Sequence, residues 1–171
     1  MSQKLIALLF LFLFAAFVFI YAPARNILGI GKVETKKRKL LCDTNYQVLL
    51  QACRDLSNRF EIGELEPRQY AVSVDTDPKV STFSAIILNL EPSYVWIYDD
   101  GRIMVALIGG MTHCGIEAYP EIYEEPFPNI KYGDKELIPG LWYYDDGYEG
   151  NPNYYKKINK LIRKNKYRDE Y

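Results

Sequence analysis

The sequence predicts an α+β fold: an N-terminal transmembrane helix followed by one small domain built on a central antiparallel meander packed by helices. Three observations predict it. Residues 5–21 read LIALLFLFLFAAFVFIY, an unbroken apolar run. Residues 94–119 hold three short β-prone segments separated by two glycine-marked turns. Three further segments, at 44–59, 78–90 and 152–164, repeat apolar residues with a helical period.

The apolar run, extended through Ala22-Pro23-Ala24, reaches about 30 Å as a helix and so matches a bilayer core. A cleaved signal peptide is the competing reading, because Ala22-Pro23-Ala24 resembles a small-residue cleavage site, but its apolar region is usually only about 7–15 residues long. The expected organisation is a membrane anchor at 1–24, a basic linker at 25–40, a single domain at 41–165 and a frayed tail at 166–171. The side of the membrane is open. Arg25, Lys32, Lys36, Lys37, Arg38 and Lys39 follow the apolar run, whereas only Lys4 and the amino terminus precede it. That bias favours a cytoplasmic domain.

The meander fixes its own register. Aromatic and β-branched residues at 94–98 form one strand, and Asp99-Asp100-Gly101 forms a turn ending in a residue tolerant of positive φ. This pairs Tyr94 with Ala106, Val95 with Val105, Trp96 with Met104, Ile97 with Ile103 and Tyr98 with Arg102. Gly109-Gly110 as a two-residue turn then pairs Ala106 with His113, Val105 with Cys114, Met104 with Gly115, Ile103 with Ile116 and Arg102 with Glu117. A longer loop through Met111 and Thr112 is the alternative. One face becomes aliphatic: Val95, Ile97, Ile103, Val105, Cys114 and Ile116. The other carries Tyr94, Trp96, Tyr98, Arg102, His113 and Glu117, since alternate side chains share a face.

Asp43-Thr44-Asn45 offers N-caps for the helix at 44–59, whose stripe is Tyr46, Leu49, Leu50, Cys53, Leu56 and Phe60. Residues 69–74 read as a short strand. Asp77-Pro78 opens the helix at 78–90, and Pro92 closes it. Residues 120–128 hold three prolines and form a loop. Residues 130–132 and 136–138 suggest a hairpin over Gly133-Asp134, 141–144 a last strand, and Asn151-Pro152 the start of the final helix.

The net charge of −1 conceals asymmetry. Residues 1–40 carry seven bases and one acid, 41–155 seven bases and nineteen acids, and 156–171 seven bases and two acids. An acidic body argues against nucleic-acid binding, which needs a basic footprint on the domain. The basic ends suit a membrane-lipid partner or simply a solvated flank. Cys42, Cys53 and Cys114 form no even disulfide framework and have no metal-ligand spacing, and with one histidine no metal or cofactor site is expected.

No catalytic motif stands out. His113 and Glu117 are about 13 Å apart along one strand, and Cys114 points away from His113. The acids Glu121, Glu124 and Glu125 could act in pairs, but nothing places a nucleophile beside them. Residues 145–151 lack the alternating acids and closing glutamate of a calcium loop. The expected function is a membrane-anchored, non-catalytic accessory or interaction domain. The alternatives are a binding module that offers Tyr94, Trp96, Tyr98, Arg102, His113 and Glu117 to a peptide, sugar or small ligand, and an enzyme using His113 with carboxylates.

Overall fold

Six antiparallel strands form one sheet in the order β1-β2-β3-β4-β6-β5: β1 (Gln69–Ala71), β2 (Tyr94–Ile97), β3 (Ile103–Ile108), β4 (Cys114–Ala118), β5 (Lys135–Ile138) and β6 (Leu141–Asp145). The helices are α1 (Ile30–Asp43), α2 (Tyr46–Glu61), the single turn α3 (Ala85–Leu88) and α4 (Pro152–Ile162). This is the α+β architecture expected. The computed structural model describes residues 30–72, 77–108, 113–121, 134–148 and 151–170. The apolar run expected to anchor the chain lies outside them, and among the described residues no helix is long and apolar enough to cross a membrane.

The chain divides into two units, Met1–Thr35 and Lys36–Tyr171. Of the first, residues 30–35 are described, the opening turns of α1, in which the Thr35 hydroxyl donates to the Gly31 carbonyl at 2.9 Å. The segment expected as a basic linker is therefore helical from Ile30 onward.

In the second unit, the Asn45 side chain caps α2 by accepting from the Val48 amide at 3.1 Å. The stripe Tyr46, Leu49, Leu50, Cys53 and Leu56 is buried, and α2 lies across β2, β3, β4 and β5. Each such leucine contributes about 1.5–3 kcal/mol by leaving water. Facing it, Val95, Ile97, Ile103, Val105, Cys114 and Ile116 are all at most 1 % exposed, so the aliphatic face is the core face.

The first hairpin has the expected register, from Tyr94 opposite Ala106 to Ile97 opposite Ile103. The Tyr98 amide donates to the Arg102 carbonyl, and Gly101 takes φ +79° in the turn. Its carbonyl accepts from the Ser57 hydroxyl at 2.8 Å, which fixes the turn to α2.

The second hairpin differs. Ile103 pairs with Ala118, Met104 with Glu117, Val105 with Ile116, and Ala106 with Gly115, a slide of two residues from expectation. β3 runs on to Ile108, with Leu107 as an extra, buried residue at a bulge, and β4 begins at Cys114. A slide of two preserves the faces because side chains alternate with period two.

One other expectation is corrected. The helix at 78–90 is broken into a 3-10 turn (Val80–Thr82) and α3, because Phe83 is extended and buried, edge-on to Tyr70 at 5.6 Å. Strand β5 pairs with β6 around Pro139-Gly140, where Gly140 has φ +86°. Its expected partner at 130–132 lies outside the described residues.

One buried polar cluster joins the elements. The Lys37 ammonium lies 2.6 Å from Asp145 Oδ2, and both side chains are at most 5 % exposed. Tyr143 donates its hydroxyl to the same carboxylate at 2.9 Å, as does Tyr154. Burial, reinforced by Asp145, raises both tyrosine pKa values far above the usual range, so both hydroxyls remain neutral donors. The α1 helix, strand β6 and helix α4 meet at this carboxylate. Residues beyond α4 are also held: Asn165 donates to the Leu41 and Thr44 carbonyls at 3.2 and 3.0 Å, and the Lys166 amide to the Cys42 carbonyl at 3.0 Å.

Removing one partner of a buried pair leaves an uncompensated ion. Lys37→Met is expected to lower unfolding free energy by about 3–5 kcal/mol in a denaturant titration, and adding Asp145→Asn should restore part of the loss. Equal stability of Lys37→Met and the parent would contradict a buried ion pair.

Candidate functional site

The face of the sheet away from α2 carries the residues singled out in the sequence. Its rows follow from the strand pairing: Tyr94, Ala106, Gly115 and Tyr144, then Trp96, Met104, Glu117 and Trp142. The sequence register put His113 opposite Ala106; Gly115 occupies that place.

Four of the six expected residues come together. The Trp96 and Tyr98 rings stack, with centroids 5.5 Å apart and planes 10° from parallel. The Arg102 guanidinium lies over the Tyr98 ring at 4.6 Å and over the Tyr119 ring at 5.9 Å. It also bonds Asp100 at 2.7 Å and Glu117 at 2.9 Å. The expected Arg102 and Glu117 pair therefore forms, but diagonally. Tyr119 completes the group by donating its hydroxyl to Glu117 at 3.2 Å.

Arg102 is consequently a brace inside the face. Burial opposes its charge, yet the hydrogen bond to Asp100 and the charges of Glu117 and Asp100 outweigh burial and hold it protonated above its ordinary range. Glu117 is raised, because burial outweighs the attraction of Arg102. Tyr98 is pushed up to about 12 by burial and then by Glu117.

His113 and Tyr94 occupy another end of the face. His113 Nδ1 lies 3.0 Å from Asp146 Oδ2, and its amide bonds the same carboxylate. Tyr94 titrates above its usual range through burial and then the charge of Asp146. The partner of His113 is thus Asp146, outside the acidic loop; of that loop's acids, Glu121 bonds Arg54 at 3.1 Å, while Glu124 and Glu125 lie outside the described residues. An imidazole oriented by a carboxylate can act as a base. Both side chains are at least 40 % exposed, and no described nucleophile bonds the ring.

Exposure divides the face. Over β2, Trp96 is 39 % exposed, with Tyr94 and Tyr98 half-buried. Over β4 and β6, Tyr119 and Trp142 are buried and the Glu117 side chain is only 14 % exposed. Gly115 permits this closure. A Cβ there would stand 2.0 Å from the Val105 carbonyl oxygen and 3.0 Å from the Tyr144 hydroxyl.

Sequence reasoning missed Asp134, Tyr144, Trp142 and Asp146 on this face. The alternation of 141–145 assigns Trp142 and Tyr144 to one side, but their place beside β4 depends on β6 entering between β4 and β5, which no local pattern states. Asp134 is pushed up to about 6 by burial and then by Glu117. A carboxyl raised in the folded state binds its proton more tightly there than in the unfolded chain. Its contribution to stability is therefore fully present below the ordinary value of 3.8 and is lost as pH rises through about 6. Thermal melts should show stability falling across that window, with Glu117 acting in the same direction, and Asp134→Asn should flatten the fall. A wild-type profile flat from about pH 4 to 6 would contradict the assignment.

No protein-family model, curated protein or solved structure matches this chain.

Proposed function

We propose that the protein is a single-pass membrane-anchored, non-catalytic interaction domain that takes a protein partner on the open half of its outer sheet face, around Trp96. One observation carries the reading: Trp96 keeps 39 % of its surface exposed although its ring is stacked on Tyr98, which itself lies under the Arg102 guanidinium. A large ring held in one orientation loses little conformational freedom on binding, and tryptophan is enriched among the residues that dominate interfaces. Tyr94, beside it, supplies a half-wet aromatic rim. Membrane attachment is supported by the apolar length of residues 5–24.

Two experiments test these claims separately. A photo-crosslinking residue at exposed position 69, which lies opposite Trp96 on β1, should give a discrete adduct in intact membranes, and the same residue at exposed position 153 should not. Trp96→Ala should abolish the interaction while changing stability by no more than about 1 kcal/mol. Indistinguishable crosslinking from both positions would overturn the docking surface.

For the anchor, the full chain should resist alkaline extraction, and a chain beginning at Val33 should be released. Release of the full chain, or a mature amino terminus beyond residue 24, would overturn it. Topology can be read with an added thiol, since Cys42, Cys53 and Cys114 are all buried. Ser81→Cys lies at an exposed position and should label from the side that holds the domain.

A further inference from the structure

A second surface lies at the β5 end of the sheet. Among the described residues β5 pairs only with β6 and is the outermost strand. Beside it is a cleft of about 600 Å³, whose apolar lining includes Leu137, Pro139 and Ile162 and whose cations are Lys135, Arg163 and Arg168.

The described arginines of α2 and the sheet, with Arg68 just before β1, each have a carboxylate partner, whereas Arg38 on α1 and the two arginines of the cleft have no described ion pair. Arg54 pairs with Glu121 at 3.1 Å, Arg59 with Glu64 at 3.0 Å, Arg68 with Asp77 at 2.5 Å and Arg102 with Glu117 at 2.9 Å. Arg163, Arg168 and Lys135 form no ion pair with any described residue, and no carboxylate lines the cleft. Two of the neighbouring acids are engaged or directed elsewhere. Glu170 accepts from Asn45 at 2.6 Å, and Glu136 pairs across to Trp142 on the other face of the sheet. Three cations with no ion pair among the described residues, set around an apolar floor, call for a ligand with both carboxylates and apolar side chains. The sheet edge favours an extended one, because a terminal strand offers main-chain partners to a segment laid along it.

We propose that this cleft binds an extended acidic peptide segment of a partner protein. The segment's carboxylates meet Lys135, Arg163 and Arg168, and its alternate apolar side chains enter between Leu137 and Ile162. This site is separate from the Trp96 surface and does not depend on it.

The test uses the full chain in detergent and a short fluorescein-labelled peptide alternating glutamate and valine, read by anisotropy. Binding should be saturable and should weaken as salt is raised. Arg163→Gln combined with Arg168→Gln should weaken it about tenfold or more, Lys135→Gln should weaken it independently, and Trp96→Ala should leave it unchanged. The proposal is overturned by absence of saturable binding, by equal binding of a lysine-valine peptide, or by unchanged affinity in variants that keep the parental melting temperature. It also fails if vesicles of anionic phospholipid bind through the same arginines while the peptide does not.

Discussion

Asp145 stands at the end of β6 with its carboxylate out of water, and side chains from α1, β6 and α4 converge on it. Lys37 arrives from α1, Tyr143 from the same strand, and Tyr154 from the first turn of α4. The Gly147 amide donates to the other oxygen at 3.2 Å, so both carboxylate oxygens are satisfied. A buried ion pair is weak evidence for net stability, since desolvating both charges offsets much of their attraction. Its effect is selective instead. A carboxylate at this depth tolerates few arrangements, and α1, α4 and β6 must meet in the one that supplies the ammonium and both hydroxyls. Packing of Leu40, Leu41, Ile158 and the α2 stripe then adds apolar burial to an arrangement already specified by charge.

The same constraint changes the meaning of the basic segment. Lys36 donates to the Glu91 and Leu107 carbonyls, Lys39 to the Asn89 carbonyl, and Lys37 to Asp145. These three lysines bond the folded domain, whereas Lys32 and Arg38 are exposed without an ion pair among the described residues; Lys39 is exposed as well but is held by its bond to Asn89. An anionic bilayer surface attracts charges that can approach it, at about 1 kcal/mol each, so the engaged lysines add little to lipid attraction. Their effect on orientation is a different matter. If the proposed anchor inserts, the charge bias acts before the domain has folded, and at that stage all of them count.

What was legible in the sequence was whatever a short-range period specifies. The stripe of α2 and its Asn45 cap, the first hairpin with its Gly101 turn, and the division of 94–119 into an aliphatic and an aromatic face all follow from spacings of a few residues. The slide of the second hairpin was not legible, because a bulge at Leu107 and a longer connection satisfy the same alternation as a two-residue turn. The break at Phe83 was hidden for a similar reason: Val80, Phe83 and Ile87 keep a helical spacing, yet Phe83 is placed by its contact with Tyr70, ten or more residues away in the chain. Lys37 and Asp145 could not be matched at all. Each looks like an ordinary surface charge in its own segment, and only the placement of β6 beside β4 brings them together.

The outer face shows how such long-range placement decides chemistry. From sequence, Arg102 and Glu117 are polar handles available to a ligand. In the fold they neutralise one another, and Tyr98 and Tyr119 flank the guanidinium, leaving neither group an obvious vacancy for a new partner. Trp96, stacked on the Tyr98 ring that Arg102 covers, is the large side chain of this face that stays exposed. Because β6 lies beside β4, Trp142 and Tyr144 join the Glu117 half of the face, where burial is deepest, and β2 remains the open part. A face divided in this way offers a ligand an aromatic surface with a rigid backing and few unsatisfied charges. That arrangement suits recognition by shape and apolar contact more than proton transfer, for which the exposed pair of His113 and Asp146 would need a reacting partner held beside it.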